Sequence, residues 1–262
     1  MINTLLGKKG LVVGVANERS IAWGIAKVLA ENGASIALTY QGDSFGKRVL
    51  PLAQSIGSDM VFNADVQDNP SLDYLFSELG DKWGRLDFLI HAVAFSDKSE
   101  LSGRFINTSK KNFSNSMEIS CYSFIDLARR SSKLMNSGGT IITLSYLGSQ
   151  RVTPNYNVMG VVKAALETAV KYLSNDLGEY GIRVNAISPG PMKTLAGAAI
   201  ADARKVYRFA ENNSPLKTNA SLNSIGGTAL YLVSDYGKHT TGEIIYVDGG
   251  YHIMGMAKSN NM

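Results

Sequence analysis

A single cysteine, Cys121, stands among 262 residues, which excludes an internal disulfide framework. It is expected to be a buried core thiol in a protein of the reducing cytoplasm. No apolar run is long enough to span a bilayer. The N-terminal Ile2-Asn3-Thr4-Leu5-Leu6 is broken at once by Gly7-Lys8-Lys9, too short for a signal-peptide core, so no membrane insertion is expected. His91, His239 and His252 offer no metal-ligand spacing, and no metal site is expected. Lysine and arginine number 26 against 22 aspartates and glutamates. With no block of like charge and no nucleic-acid motif, the net charge of +4 does not argue for a nucleic-acid partner. Internal repeats, low-complexity tracts and linkers are also missing. At 45% hydrophobic and 18% charged, the chain is expected to form one domain over 1–262.

What is present is an alternation of short apolar runs with longer helical patterns, the mark of a parallel sheet covered on both faces. Strands are expected at Gly10 to Val15, Ser35 to Tyr40, Asp59 to Asn63, Leu86 to Ala92, Thr140 to Ser145, Ile182 to Ile187 and Glu243 to Val247. Helices are expected at Ile21 to Glu31, Ser44 to Ser55, Pro70 to Trp83, Lys111 to Met135, Asn155 to Gly178 and Ser221 to Leu232. The fold class is therefore α/β: a Rossmann-like, doubly wound three-layer sandwich around a seven-stranded parallel sheet, with the first strand near the middle. Residues 196–213 mix apolar and basic side chains and read as a substrate lid, with an ordinary surface helix as the alternative.

The stretch from Ser145 to Lys163 holds the candidate chemistry. Tyr146 falls at the carboxyl end of the fifth strand, where ligands of open α/β sheets bind. Tyr156 is expected in the first turn of the next helix, with Lys163 seven positions on. Seven steps of about 100° return to within about 20° of the same face, so both side chains can face one cleft. Tyrosine is a poor acid or base near neutrality, but a nearby ammonium favours its phenolate. Its hydroxyl can also donate to an oxygen that becomes negative as hydride arrives. Taken singly, Tyr156 reads as a packed loop residue and Lys163 as a solvated lysine.

The loop after the first strand, Gly14-Val15-Ala16-Asn17-Glu18-Arg19-Ser20-Ile21, opens into a helix, and its small residues let the backbone approach a pyrophosphate. Ser20 can cap that helix or offer its hydroxyl. The G-x-G-x-x-G fingerprint is missing, so the loop alone is a weak signal. At the end of the second strand Gln41 replaces the usual acidic or basic residue, which leans toward NADH, with Lys47 or Arg48 leaving NADPH as the alternative. Asp65-Val66 stands where an adenine would lie, or Asp65 simply caps the next helix. His91-Ala92-Val93-Ala94-Phe95-Ser96 is a small-residue exit where a cofactor can rest on the backbone. His91 itself reads as hydrogen-bonded structure rather than a proton carrier. In Pro189-Gly190-Pro191-Met192-Lys193-Thr194, the rigid turn can present backbone groups to a nicotinamide amide. Thr194 can offer a hydroxyl to phosphate or cap the next helix.

Together these motifs resemble the short-chain dehydrogenase/reductase superfamily and, within it, the bacterial enoyl-acyl-carrier-protein reductase branch. The usual superfamily spacing of Tyr-x-x-x-Lys is not met, since position 160 is Gly. The run His91-Ala92-Val93-Ala94 replaces the usual N-N-A-G. Both departures, and the order Tyr146, Tyr156, Lys163, match the enoyl branch; Pro189 stands where that branch usually has Ala. The resemblance implies NADH-dependent reduction of the trans-2 double bond of an enoyl thioester in type-II fatty-acid elongation. It implies catalytic roles for Tyr146, Tyr156 and Lys163, with Lys163 also holding the nicotinamide ribose. The other cofactor contacts it implies are Gly14, Ala16, Ser20, Ile21, Gln41, Asp65, Val66, Ala92, Met192 and Thr194. Phe95, Tyr146, Tyr156 and Met159 are the implied substrate pocket. It further implies a homotetramer and a carrier-bound substrate that the basic residues Arg204, Lys205 and Arg208 could attract. A 3-oxoacyl-thioester reductase and a catalytically silent dinucleotide-binding regulator are the alternatives.

Overall fold

The β-branched and apolar runs pair as expected into one all-parallel sheet. The computed structural model describes residues 4–136, 138–198 and 200–257. The strands are β1 (Lys9–Val13), β2 (Ser35–Tyr40), β3 (Val61–Asn63), β4 (Phe88–His91), β5 (Gly139–Leu144), β6 (Ile182–Pro189) and β7 (Ile244–Val247). Their order is β3-β2-β1-β4-β5-β6-β7, which puts the reversal of winding between β1 and β4. Gly10 pairs with Phe88 and Val13 with His91, so both strands deliver their exits to one crevice.

The helices are α1 (Ile21–Glu31), α2 (Asp43–Ser55), α3 (Asn69–Trp83), α4 (Lys110–Met117), α5 (Ser123–Ser132), α6 (Val158–Gly178), α7 (Leu195–Ala198), α8 (Ala203–Asn213) and α9 (Leu222–Val233). Neighbouring strand residues feed opposite layers. Leu11, Leu89 and Ile141 pack with Leu75, Phe124 and Leu166 of α3, α5 and α6, whereas Val12, Ile90 and Ile142 pack with Ile25, Ile225 and Leu232 of α1 and α9. Period-two alternation thus becomes a three-layer sandwich.

Two expected helices differ. The pattern over Lys111 to Met135 is interrupted by a wide turn at Glu118–Tyr122 between α4 and α5. Polar groups at the exit of β4 claim this segment: Ser120 accepts from the Phe95 amide, and the Ser123 hydroxyl donates to the Ile119 carbonyl while bonding the His91 ring. Helix α6 begins at Val158, and Tyr156 precedes it rather than occupying its first turn. Asn155 and Asn157 take positive φ values of 63° and 44°, which a helix does not tolerate. The expected lid, 196–213, is the two helices α7 and α8, with position 199 outside the described residues, as are 1–3 and 258–262 of the expected domain. No described helix is long and apolar enough to cross a membrane.

Candidate active site

At the carboxyl edge of the sheet, β1, β2 and β4 are drawn together through Gly14. Its amide donates to the Thr39 hydroxyl at 3.2 Å, and the Val15 amide donates to the Thr39 carbonyl. Gly14 has φ +97°, and a Cβ there would lie 2.5 Å from the Ala92 carbonyl oxygen. Only glycine fits this approach, so the backbone floor between the two exits stays open. Beyond it, Ser20 takes N-cap geometry at α1, yet its hydroxyl donates to the Asn17 carbonyl and caps nothing. The first N–H groups of α1 therefore have no side-chain acceptor from their own cap, an arrangement that suits an anion. Ala16 and Ile21 lie in the same loop and helix start.

Gln41 and Asp65, from the ends of β2 and β3, meet through a 2.8 Å hydrogen bond from the amide to the carboxylate. The carboxylate also accepts from the Gln67 amide, while Val66 packs on the core. Arg48 stacks over the Phe45 ring. On the far side, Thr194 accepts from the Gly197 amide at 3.0 Å, and Met192 packs against the sheet. Between this turn and the α1 loop lies a cavity of about 260 Å³ lined by Arg19, Met192, Lys193, Tyr207, Ala220 and Leu222. The Lys193 ammonium lies 4.5 Å from the Tyr207 ring centre. The sequence reading missed Arg19 and Tyr207 as neighbours of Met192.

The aromatic end is built from β5 and the turn before α6. The Tyr146 and Tyr156 rings meet edge-on with centroids 4.9 Å apart. Gly148 makes this possible, because a Cβ there would lie 2.4 Å from the Tyr156 ring. Position 160 is equally closed: a Cβ would fall 2.8 Å from the Gly148 carbonyl oxygen. A lysine four residues after Tyr156 has no place here. Lys163 stands about one turn further on, its ammonium donating to the Leu144 carbonyl at 2.7 Å. Met159 is buried beside Tyr156, and Phe95 is half-exposed at the crevice mouth.

Electrostatics decides the protonation states. Burial pushes the Tyr156 phenol far above its ordinary value, with Tyr146 and Glu167 adding to the shift. The expectation of an ammonium-stabilised phenolate is therefore corrected: desolvation disfavours the charged form, and the neighbouring groups push the phenol the same way. Tyr156 is a neutral donor, and among the described residues no protein group occupies its hydroxyl. Burial pushes Tyr146 up to about 12 and Lys163 down to about 8.

His91 lies beneath this site, fully buried between the Thr143 and Ser123 hydroxyls, and burial lowers it from 6.5 to about 3. It stays neutral in the fold while the unfolded chain takes up a proton below pH 6.5. Stability from this residue is thus intact above that value and lost as pH falls toward 3. Between pH 7.5 and 5 the loss is about 2 kcal/mol. Urea unfolding at both pH values should show this slope in the wild type and a flatter one in His91→Leu.

The family model described as Enoyl-(Acyl carrier protein) reductase matches residues 14–252. The chain belongs to that family. Among relatives of the reductase, enoyl-[acyl-carrier-protein] reductase [NADH] 1 of Rhizobium meliloti is 56% identical over 95% of this chain and 92% of its own length. The corresponding [NADH] protein of Rickettsia typhi is 51% identical over 97% of both chains. Among solved structures, the Anaplasma phagocytophilum reductase in complex with NAD superposes with a TM-score of 0.94 at 54% identity, covering 97% of each chain. The Bacillus cereus reductase with NADP+ and indole naphthyridinone gives 0.94 at 43% identity, covering 97% of this chain and 99% of that one.

The residues present in the reductase fit a dinucleotide. The Gly14 floor, the uncapped start of α1 and the cations at Arg19 and Lys193 suit its pyrophosphate. A carboxylate held beside Gln41 suits a bare ribose better than a 2′-phosphate. Among the described residues, no group of three His, Cys, Asp or Glu side chains is placed to hold a metal ion.

Proposed function

We infer that the chain is an NADH-dependent enoyl-acyl-carrier-protein reductase, which saturates the trans-2 double bond of enoyl thioesters in type-II fatty-acid elongation. The observation that carries the residue-level reading is the paired Tyr146 and Tyr156 rings with Lys163 anchored at the end of β5. When bound, the reduced nicotinamide supplies a hydride for the substrate's β-carbon.

The chain's own residues do the rest. Tyr156 donates from its neutral phenol to the thioester carbonyl, and that bond strengthens as the oxygen becomes an enolate. Lys163 holds the nicotinamide ribose hydroxyls and adds positive charge beneath the developing anion. Tyr146, Met159 and Phe95 line the acyl pocket, with Tyr146 orienting the thioester. Gly14, Ala16, Ser20 and Ile21 would receive the pyrophosphate, the Thr194 hydroxyl would add to the phosphate contacts, and the Met192 backbone would meet the nicotinamide amide. Gln41 takes the adenine ribose, Asp65 and Val66 flank the adenine, and Ala92 supports the cofactor from below.

The test is NADH oxidation with a crotonyl thioester beside an acetoacetyl thioester. Turnover of the enoyl substrate alone is expected. Turnover of acetoacetyl thioester alone would make the chain a ketoreductase, and no turnover, even with carrier-linked enoyl chains, would make it a silent binder.

Residues 1–262 act as one domain in this reading, with α7 and α8 as its lid. The single buried thiol accords with a reducing cytoplasm. Partly exposed apolar side chains on α4 to α6, among them Phe113, Ile125 and Val161, form the face on which a homotetramer would pack. Arg204, Lys205 and Arg208 are exposed on α8, with Lys205 also paired to Asp202 at 2.9 Å. This patch complements an acidic carrier protein. Replacing all three by Ala should raise KM for carrier-bound substrate on the order of tenfold at low salt. The effect should shrink in high salt and be absent for a small thioester; equal effects on both substrates would refute docking here.

A further inference from the structure

One buried carboxylate beneath the site has no part in the chemistry described so far. Glu167 follows Lys163 by one turn of α6 and is only 6% exposed. Its Oε1 accepts from the Ser145 and Ser149 hydroxyls, both at 2.6 Å, and its Oε2 accepts from the Gln150 side-chain amide at 3.2 Å. The donors lie on both sides of Tyr146 in sequence. The Ser149 amide in turn donates to the Tyr146 carbonyl. The loop that sets the Tyr146 ring against Tyr156 is thus gathered around one carboxylate, and Lys163 holds the preceding residue, Leu144, from the same helix face.

We propose that Glu167 is a positioning residue of the reductase: its buried carboxylate sets the loop carrying Tyr146 and supplies the counter-charge to Lys163. The proposal rests on the roles inferred above for Tyr146 and Lys163. Three donors and no acceptor form the hydrogen-bond set of an ionised carboxyl group. A carboxylate withdrawn from water is costly, and a strut between helix and loop needs hydrogen bonds but not a charge.

The charge has a use in the surroundings of Lys163. The titratable groups that couple to that lysine are His91 from β4, Cys121 from the wide turn and Glu167 on α6 itself. Burial holds His91 neutral and keeps the Cys121 thiol and Tyr156 phenol protonated. Cys121 and Glu167 both raise the Lys163 proton affinity against the cost of burial, and Glu167 does so from one turn along the same helix.

The experiment uses the full chain with NADH and crotonyl thioester, measuring kcat and KM from pH 6 to 9.5 with NADH binding and thermal midpoints alongside. Glu167→Gln keeps size and most hydrogen bonds but removes the charge. It should lower kcat at pH 7 roughly tenfold through the loosened Tyr146 loop, with KM for the thioester changed less than threefold. Its alkaline limb should move about one pH unit toward neutrality, because Lys163 loses its counter-charge. Glu167→Asp restores the charge and should bring the limb back without restoring kcat in full. Ser149→Ala removes one loop donor and should lower kcat with the limb unmoved.

A folded Glu167→Gln with the wild-type kcat and limb overturns the proposal, as does a limb that stays in place while kcat falls equally in the Gln and Asp variants. Should the Gln variant not fold, wild-type kcat in Ser149→Ala overturns it, and a lowered kcat with unchanged NADH binding supports it. Tyr156→Phe and Lys163→Met, run in parallel, keep the two levels apart. Full activity in those variants removes the underlying site reading, whereas their impairment beside indifferent Glu167 variants removes only the positioning role.

Discussion

Tyr156→Phe should lower kcat/KM for an enoyl thioester roughly 10²- to 10³-fold, the effect of deleting one oxyanion donor from a water-poor site. The loss should appear mainly in kcat, because the bond from the hydroxyl is stronger to the enolate than to the ground-state carbonyl. NADH binding should be unchanged, since no protein group in the described residues depends on that hydroxyl. Tyr146→Phe makes the contrast. Its ring keeps the edge-on contact at 4.9 Å, so orientation suffers more than charge stabilisation and the loss should be under tenfold. Steady-state kinetics of both variants with crotonyl thioester decide between them; equal losses would remove the special place of Tyr156. The pH dependence adds a second check. A phenol held far above its ordinary value cannot serve as a base at neutrality, so the wild-type profile should contain no limb from Tyr156 ionisation.

The layered fold was readable because each strand's alternate residues feed opposite faces, as Leu89 and Ile90 do in β4. Helical periodicity, by contrast, does not register one inserted residue, and the wide turn at Glu118–Tyr122 keeps apolar spacing nearly intact. Its cause is tertiary: Ser120 and Ser123 answer to Phe95 and His91, partners distant in sequence. The start of α6 was misplaced for a related reason. Asn155 and Asn157 read as ordinary turn formers, but their side chains bond the Ala201 and Glu100 carbonyls, partners distant in sequence, which supports the positive φ around Tyr156.

Spacing puts Tyr156 and Lys163 on one helical face, a reading that fails because Tyr156 precedes α6, and burial leaves no trace in spacing at all. A glutamate four residues after a lysine reads as half of an exposed helix pair, so Glu167 gave no signal. Only the return of the β5 loop over α6 buries it and supplies three donors. Gly160 shows the reverse case. Read as a departure from the usual lysine position, it becomes a steric necessity once Gly148 lies against it.

Lys163→Met should be the second severe lesion, and its signature differs from that of Tyr156→Phe. Methionine fills the same buried space but leaves the Leu144 carbonyl without its donor and removes the charge beneath the nicotinamide ribose. Loss of charged hydrogen bonds to that ribose should weaken NADH binding roughly tenfold to a hundredfold, and kcat should fall as well. The pH profile identifies the cause. Burial lowers Lys163 from 10.5 to about 8, so its ammonium form, and the activity that needs it, is present below pH 8 and lost as pH rises through that value. The mutant has no such group, and its residual activity should run flat across pH 7 to 9. Stability should change little, because relief from a buried charge opposes the loss of the Leu144 bond; thermal unfolding at pH 7 tests that balance. A Lys163→Met enzyme that retained the alkaline limb would assign the limb to another group and leave the lysine as a structural strut of β5.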